Sequence, residues 1–452
     1  MNRRRLLRGG LGGLLGAGAA GCGAPGGSGS GRPGDPVVLT VLSHYGSEPL
    51  KSALQGAIDE WNTGHDRVKV RSTAVRYADL LTTAMVRQAA GQGADIIHPY
   101  TLWAGQLVRA GVLAPLPDEA VGRVRRGFTG AAVTAASVDG RLYGYPTEVQ
   151  TYALYCNTRL LREAGVERPP RTWRELEEAA YASTRRDAHG NTLVQGFGLS
   201  RAEDSTVVGQ TLALLAASGG SYLTEDGARA AIGSPKGRAV IELERRLIDR
   251  GASSPGTDLY KAFPSGQVAM AISAGWWTGS LKNTMGRDYR DVTVVPVPGP
   301  DAADRGTITT GFLLGVNAKS RRQEAAWDFL RWLNADEAPA RRGVASGAAT
   351  KAVAAARPTR PVTRMSALQV SVGSMTGRSQ DMSALLDTAR DPNLGPFLDA
   401  LRYATPEPNG PHAQKAKTLL RKNIEEVWSG QQPVDEALRT ACRQIDQELS
   451  RG

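Results

Sequence analysis

In the first third of the chain, apolar stretches typical of strands alternate with stretches in which apolar residues recur at helical spacing. Val37 to His44 is a nearly continuous apolar run, which predicts a buried strand. The next apolar positions recur at helical spacing and are Leu50, Leu54, Ala57, Ile58 and Trp61. Residues 68–75 and 94–97 predict further strands, with a helix over 77–90 between them. Strands that alternate with helices in this way indicate an α/β sheet.

The segment from Gly140 to Asn157 differs from this alternation. Pro146 lacks an N–H donor, so it suits the start of a strand better than the middle of a ladder. After it, Val149, Thr151, Ala153 and Tyr155 alternate with Gln150, Tyr152, Leu154 and Cys156, so the two sets face opposite sides. We interpret the segment as a strand that leaves one lobe and enters another. The local pattern leaves open an ordinary connection inside a single domain.

The rest of the chain continues the α/β pattern. Thr172 with Glu175, and Ser234 with Pro235, are typical of helix starts. We expect strands over 194–199, 292–297 and 309–317, a further strand that contains Ala269-Met270 and ends at Gly275-Trp276, and a helix that begins at Ser320. In a final helix one apolar face carries Val434, Leu438, Cys442, Ile445 and Leu449. Cys156 and Cys442 are therefore interpreted as small core residues, although a disulfide stays possible on sequence grounds.

The N-terminal residues have the composition of a targeting segment. Residues 1–21 place a basic stretch before a short apolar run that is too short to span a bilayer, which predicts a signal peptide. Asn2 to Leu7 resembles a twin-arginine export motif, with ordinary secretion as the alternative. Ala19 to Cys22 resembles a lipobox, which would place a lipid on Cys22; a plain secretory signal is the alternative. Residues 22–35 then form a Gly/Ser/Pro tether.

Composition and charge exclude several classes of function. The 452 residues are 41% apolar and 22% charged, as in an ordinary globular protein, and the formal charge is +11. Basic residues are spread over helices and mixed with acids, so nucleic-acid binding is not expected. The histidines are scattered, and the sequence has no HExxH, P-loop or strand-linked GxGxxG motif. We therefore expect no metal, no cofactor and no enzymatic activity.

Several motifs, taken in order, resemble a known family. They are Gly140-x-x-Tyr143-Gly144-x-Pro146, Tyr155 to Thr158, Thr172-Trp173, the strand ending in Gly275-Trp276, the strand led by Gly311, Ala326-x-x-Phe329-Leu330 and Ala437-Leu438. This order is similar to that of the extracellular solute-binding proteins, family 1, of bacterial ABC importers. The nearest branch is the sugar-binding lipoproteins related to maltose-binding protein. The likeness extends over nearly all of residues 36–450.

The resemblance implies a two-lobe periplasmic-binding-protein fold of type II. Each lobe would be a mixed sheet flanked by helices, and hinge crossovers would join the lobes. The expected boundaries assign residues 36–144 and 295–350 to the first lobe, and residues 145–294 and 351–452 to the second. The alanine-rich stretch 344–357 would carry the chain back to the second lobe, where the C-terminal helices lie.

A sugar site needs aromatic planes for its C–H faces and polar groups for its hydroxyls. The resemblance implies that Trp276 stacks on sugar, that Gln150 gives a polar contact, and that Gly311 and Phe312 face the cleft. Trp277 is a second candidate, although one tryptophan of the pair could belong to the core. Because ligands sit beyond strand ends in α/β sheets, the further candidates are Tyr45, Glu48, Tyr100, Trp103, Glu203 and Asp204. The absence of an acid between Asp95 and Asp118, with Tyr403 the only aromatic over 403–420, argues against maltodextrin.

These observations predict a monomeric, exported receptor of an ABC importer. It would be anchored through Cys22 to the outer face of the cell membrane, bind a sugar or oligosaccharide between its lobes, and deliver it to permease subunits. One alternative is a secreted carbohydrate-active hydrolase that uses Glu203 with Glu48 or Glu148. Another alternative keeps the receptor and replaces the sugar with a peptide, polyamine or osmolyte.

Overall fold

A mixed sheet runs through the whole computed structural model, which describes residues 35–200, 204–336, 362–371, 374–382 and 391–451. The residues from Val37 to Gly452 form one compact unit. The strands are β1 (Val37–Ser43), β2 (Val68–Ala74), β3 (Ile96–Ile97), β4 (Ser137–Val138), β5 (Arg141–Leu142), β6 (Tyr145–Asn157), β7 (Arg185–Arg186), β8 (Thr192–Gly198), β9 (Val268–Ala274), β10 (Val292–Val295), β11 (Ile308–Val316) and β12 (Thr405–Pro406).

Helices flank this sheet. They are α1 (Leu50–Gly64), α2 (Tyr77–Ala89), α3 (Ala104–Arg109), α4 (Asp118–Gly127), α5 (Gly130–Ala135), α6 (Thr158–Glu163), α7 (Trp173–Ser183), α8 (Asp204–Ala217), α9 (Pro235–Asp249), α10 (Leu259–Ala262), α11 (Trp277–Met285), α12 (Gln323–Asn334), α13 (Arg364–Ser371), α14 (Gly395–Ala400), α15 (Ala413–Trp428) and α16 (Val434–Leu449). Short 3₁₀ turns cover Thr101–Trp103, Gly286–Asp291 and Pro392–Leu394. None of the described helices is long and apolar enough to cross a membrane.

The strand order of the main sheet is β2-β1-β3-β11-β6-β9-β8-β7, with β10 beside β6 and β12 beside β11. Strands β4 and β5 form a separate antiparallel pair. Pairing is parallel between β1 and both β2 and β3, and between β8 and β9. It is antiparallel around β6 and between β11 and β3. The predicted α/β class with a mixed sheet is confirmed.

Strand β6 joins the two ends of the sheet. Its first half, Tyr145–Thr151, pairs with β11, and its second half pairs with β9 and β10. All 13 residues are buried. Val149, Ala153 and Tyr155 belong to one core cluster, whereas Tyr152, Leu154 and Cys156 belong to another. The predicted alternation is therefore confirmed, and both faces of this strand are covered.

Two large cores lie at opposite ends of the strand order. The first packs around β1 and β3 with α1, α3 and α12, and contains Leu39, Ile58 and Phe329. The second packs around β8 and β9 with α7, α8, α9, α15 and α16. A smaller third core contains Phe263, Trp277 and Phe397 under β6 and β9. This arrangement agrees with a two-lobe fold, while the predicted residue boundaries of the lobes stay a prediction.

Two of the three predicted helix starts are confirmed, and the third is wrong. The Thr172 hydroxyl accepts the Glu175 N–H at 3.1 Å, and the Ser234 hydroxyl accepts the Gly237 N–H at 3.2 Å. Helix α12, however, begins at Gln323 rather than at Ser320. The Ser320 hydroxyl donates to Asp95 at 2.7 Å and accepts the Arg322 N–H at 3.0 Å, so it closes a turn before the helix.

Both cysteines in the described part of the chain are free. Cys156 is buried in the second core and Cys442 packs against the same core, as their apolar positions predicted. The signal peptide, Cys22 and residues 22–34 of the tether lie outside the described residues, and so does the stretch 344–357.

Candidate functional site

One face of β6 brings polar side chains from two strands together. Glu148 and Gln150 are two residues apart, so they share a face. Strand β11 places Phe312 opposite Glu148 and Thr310 opposite Gln150. Residues directly opposite on antiparallel strands lie side by side, so these four side chains form a continuous strip. We call it the β6 face.

Gly311 lets the two strands of this strip approach closely. A β-carbon at this position would lie 2.4 Å from the Glu148 carbonyl oxygen, which is nearer than any real side chain allows. The Gly311 carbonyl accepts the Thr101 hydroxyl at 3.1 Å. Gly311 therefore shapes the β6 face through its backbone.

A group of rings, which we call the aromatic cluster, borders the β6 face where β1 and β3 end. Its members are His44, Tyr45, Tyr77, His98, Tyr100, Trp103 and Phe312. His44 stacks on Phe312 with ring centroids 4.3 Å apart, and Tyr77 stacks on Trp103 at 5.2 Å. The predicted candidates Tyr45, Tyr100 and Trp103 thus lie together, as expected for residues at neighbouring strand ends, and Phe312, in the middle of β11, joins them.

The aromatic cluster has an outer and an inner layer. His44, Tyr77 and Phe312 are half-buried and form the outer layer. The inner layer is buried and consists of Tyr45, His98, Tyr100 and Trp103. A ligand at this surface would therefore meet the outer rings first.

Inner-layer polar atoms are bonded within the protein. The Tyr45 hydroxyl donates to the Glu148 carboxylate at 2.7 Å and accepts from the Gln369 amide at 2.8 Å. Burial raises the pKa of Tyr45, and the neighbouring Glu148 carboxylate raises it further. The His98 ring nitrogens lie 3.3 Å from the Ser43 hydroxyl and 3.0 Å from the Thr147 hydroxyl. These bonds fix the orientation of the layer.

Burial also sets the charge of the site. It lowers the pKa of His44 to about 3, so the ring that stacks on Phe312 is neutral at physiological pH. Burial raises the pKa of Glu148 to about 7, against the opposing hydrogen bonds from Tyr45 and Gln369. A neutral ring and a partly protonated carboxyl group suit an uncharged ligand better than an ion.

The two neighbouring tryptophans after β9 have different environments. Trp276 is 39% exposed, whereas Trp277 is 1% exposed. The Trp277 ring lies 5.0 Å from both Tyr155 and Phe263 in the third core. Tyr260 is 5.4 Å from Trp276 and 5.5 Å from Trp277. Of the pair, Trp276 is therefore the one with an accessible ring.

Gln150 connects Trp276 to the β6 face. Its side-chain oxygen accepts the Trp276 backbone N–H at 3.0 Å, and its amide nitrogen donates to the Ser374 hydroxyl. Gln150 is 4% exposed. Both ends of its amide thus bond to protein partners and hold Trp276, while its predicted contact with a ligand stays a prediction.

The remaining predicted candidates are Glu48, Asp204 and Glu203. Glu48 is exposed, and its carboxylate accepts the Ser52 N–H at 3.3 Å near the start of α1. Asp204 is the first residue of α8. Glu203 lies outside the described part of the chain. No group of three or more metal-ligating residues suited to a metal ion occurs among the described residues.

Two members of the outer layer are not among the predicted ligand residues. His44 directly follows β1, at a strand end where the sequence already predicts ligand contacts, but it was not chosen as a candidate. Tyr77 was missed; it is the first residue of α2, three positions after β2 ends. Applying the strand-end rule to the second strand would have found it.

A family model and a sequence relative match part of this chain. The family model described as bacterial extracellular solute-binding protein matches residues 45–339. A binding protein of Brucella abortus (strain 2308) is 30% identical over 257 residues, which are 54% of this chain and 59% of that protein. The chain thus matches less than two thirds of the length of this relative.

Solved structures share the fold over most of both chains. The cyclic α-maltosyl-1,6-maltose binding protein of Arthrobacter globiformis has a TM-score of 0.71 at 22% identity, covering 92% of this chain and 100% of its own. An ABC transporter solute-binding protein of Thermotoga lettingae, bound with α-D-tagatose, has a TM-score of 0.75 at 18% identity, with 91% and 100% covered.

Proposed function

The chain belongs to the family of bacterial extracellular solute-binding proteins, and from that premise we propose that it is the receptor of an ABC importer. Its ligand is a sugar or oligosaccharide, held between two lobes by Trp276 and the outer layer of the aromatic cluster, with the β6 face behind them, and delivered to permease subunits in the membrane. The protein binds its ligand without chemical change. This proposal also includes export and a lipid anchor on Cys22.

The exposed ring of Trp276 is the observation that carries the proposal. A large indole left 39% exposed beside a rigid strand is a typical surface for stacking on the C–H face of a sugar. Gln150 fixes its backbone, and the same face of β6 leads to the half-buried Phe312. Aromatic surfaces therefore lie on both sides of one polar strip.

Closure is proposed to bend the sheet at β6 and β11. The first half of β6 pairs with β11, while its second half pairs with β9 at the other end of the strand order. A ligand closes the lobes only if it binds the closed form more tightly than the open form. A sugar that touches Trp276 and the outer aromatic layer at once would meet this condition.

A thermal-shift screen tests the ligand class. Maltose, maltotriose, lactose, D-tagatose, a polyamine and a peptide mixture are added separately to the purified protein. We expect one or more sugars to raise the melting temperature, because a ligand that binds only the folded state stabilises it. Stabilisation by the polyamine or peptides alone would contradict the sugar assignment.

Trp276 provides a matched pair of variants for the sugar that stabilises most. We expect Trp276→Ala to weaken its binding at least about tenfold, since burying an aromatic ring contributes more than about 1.4 kcal/mol. Trp276→Phe keeps a ring and should lose less affinity. Equal affinity of all three proteins in calorimetry would remove Trp276 from the site. Released products in the same mixtures would indicate a hydrolase instead.

A further inference from the structure

A buried ion pair lies directly behind the aromatic cluster. Lys417 on α15 is 0% exposed, and Glu407, which follows β12, is 7% exposed. The Lys417 ammonium group donates to one carboxylate oxygen of Glu407, and the Tyr100 hydroxyl donates to the other. The carboxylate therefore joins a helix of the second core to a ring of the inner layer.

A second link runs parallel to the first. The Trp103 indole N–H donates to the Gln414 side-chain oxygen at 2.6 Å. Gln414 and Lys417 are three residues apart on α15, so they lie on the same side of the helix. The Gly105 N–H also donates to the Asn409 carbonyl at 2.9 Å, and a β-carbon at Gly105 would lie 2.4 Å from that oxygen.

Helix α15 spans the boundary between the two large cores. Its first residue, Ala413, packs in the first core, whereas Ala416 and Leu420 pack in the second. Trp103 is therefore bonded directly, and Tyr100 through Glu407, to a helix that belongs mainly to the opposite end of the sheet. These bonds join α15 to the inner layer at two points.

Stability alone does not explain an ion pair at this position. Removing two charges from water is expensive, and well-packed apolar residues often hold such a contact equally well. Apolar residues could not offer Tyr100 an acceptor at a fixed point. The lysine orients the carboxylate, and the carboxylate then fixes the tyrosine ring.

We propose that Glu407 and Lys417 are positioning residues of the ligand site. They hold Tyr100 in place, and with Gln414 and Trp103 they set the orientation of the outer rings Tyr77 and Phe312. Tyr77 stacks on Trp103, and the Phe312 ring lies 5.4 Å from Tyr100. The inference rests on the proposed function only for the identity of the ligand.

Two double variants separate positioning from charge. Both E407Q/K417M and E407L/K417M remove the ion pair, but only the glutamine leaves an acceptor for the Tyr100 hydroxyl. We expect E407L/K417M to bind the most stabilising sugar of the screen at least about tenfold more weakly than E407Q/K417M. Glu177→Gln, at a carboxylate that pairs with Arg246 and joins α7 to α9, serves as the control and should leave affinity unchanged.

A spectroscopic measurement reports the position of the rings without any ligand. The chain has eight tryptophans, which 5-fluorotryptophan labels for 19F NMR, and Trp103→Phe assigns the Trp103 signal. The Trp103 signal should shift or broaden in E407L/K417M relative to E407Q/K417M. Tyr100→Phe keeps the ion pair and should move the same signal, which preserves the test if the leucine variant does not fold.

The outcomes separate this inference from the proposed function. An unmoved Trp103 signal in both E407L/K417M and Tyr100→Phe would overturn the positioning role, and so would equal affinity in the two double variants. If no sugar in the screen binds the wild-type protein, the proposed ligand class fails. The NMR comparison then still decides whether α15 positions the aromatic cluster.

Discussion

The first half of β6 contributes to the candidate ligand site, whereas its second half contributes to the apolar cores. In the first half, Glu148 and Gln150 point their polar groups toward Tyr45 and Trp276 and make bonds across strands. In the second half, Leu154 and Cys156 pack in one apolar core and Tyr155 in another. Both halves are buried, so burial alone does not distinguish a site from a core.

Satisfied polar groups make the difference. Each buried polar atom of the first half needs a partner at a set distance, which fixes the geometry of Trp276 and Tyr45. The second half is held mainly by apolar packing in two cores, to which the Tyr155 hydroxyl adds a hydrogen bond, and this packing anchors the strand. A strand built in this way can hold a precise ligand surface at one end while its other end stays fixed in a core.

The largest effect is expected in the apolar half. Tyr155 is fully buried, and its hydroxyl donates to the Ala274 carbonyl at 2.9 Å. Tyr155→Ala should lower the free energy of unfolding by about 3–5 kcal/mol, because it leaves a large cavity. Tyr155→Phe, which keeps the ring, should cost about 1 kcal/mol. Urea unfolding followed by circular dichroism measures both, and equal losses would contradict a packing role.

A smaller effect concerns the charge of Glu148 in the polar half. Its pKa is raised from 4.5 to about 7, so the native state binds its proton more tightly than the unfolded state does. The stability that it contributes is therefore full below pH 4.5 and is lost as pH rises through 7. The lowered pKa values of His44 and His98 act in the opposite direction below pH 6.5.

Glu148 and the two histidines change the stability in opposite directions as the pH changes. A variant of Glu148 is therefore a clearer test than the pH dependence of wild-type stability. Between pH 4.5 and 7.5, Glu148→Gln should gain stability relative to wild type by up to roughly 3 kcal/mol. Glu244→Gln in the second core should behave alike, since burial raises the pKa of Glu244 to about 7. Urea midpoints across this pH range measure the gain, and a difference that does not change with pH would refute the assignment.

The smallest effect isolates the link between β6 and Trp276. Gln150→Met keeps the length of the side chain but removes both hydrogen bonds, and should cost about 1–3 kcal/mol. The Trp276 amide should then exchange its hydrogen faster, which NMR detects directly. Ser374→Ala breaks only the other bond of Gln150 and serves as the control. Unchanged Trp276 exchange in Gln150→Met would show that the bond does not hold the tryptophan.

Local pattern was sufficient for most of the elements. The period-two alternation after Pro146 and the helical spacing from Leu50 to Trp61 each correspond to one observed element, because each needs only its own apolar face. Ser320 was misjudged because its hydroxyl bonds to Asp95, far away in the sequence. Side-chain bonds of this kind leave no trace in local spacing.

The candidate site was harder to predict for the same reason. The strand-end rule brought Tyr45, Tyr100 and Trp103 to one place and the family resemblance added Phe312, but neither could separate the inner layer from the outer one. Nor could it show that the amide of Gln150 is already occupied, or that Trp277 faces the core. The roles of the predicted ligand residues and the lobe boundaries stay predictions for experiment.

The sequence by itself determined the class of fold, the crossover strand and the family, because periodicity and motif order are properties of neighbouring residues. Only the tertiary structure decided which of two adjacent tryptophans is accessible and which buried carboxylate meets a lysine. Both features depend on contacts such as the one between Tyr100 and Glu407. These two residues are 307 positions apart in the sequence and meet only when the sheet has formed. The geometry of the candidate ligand site therefore depends on the folded sheet, whereas the positions of the strands follow from the local sequence.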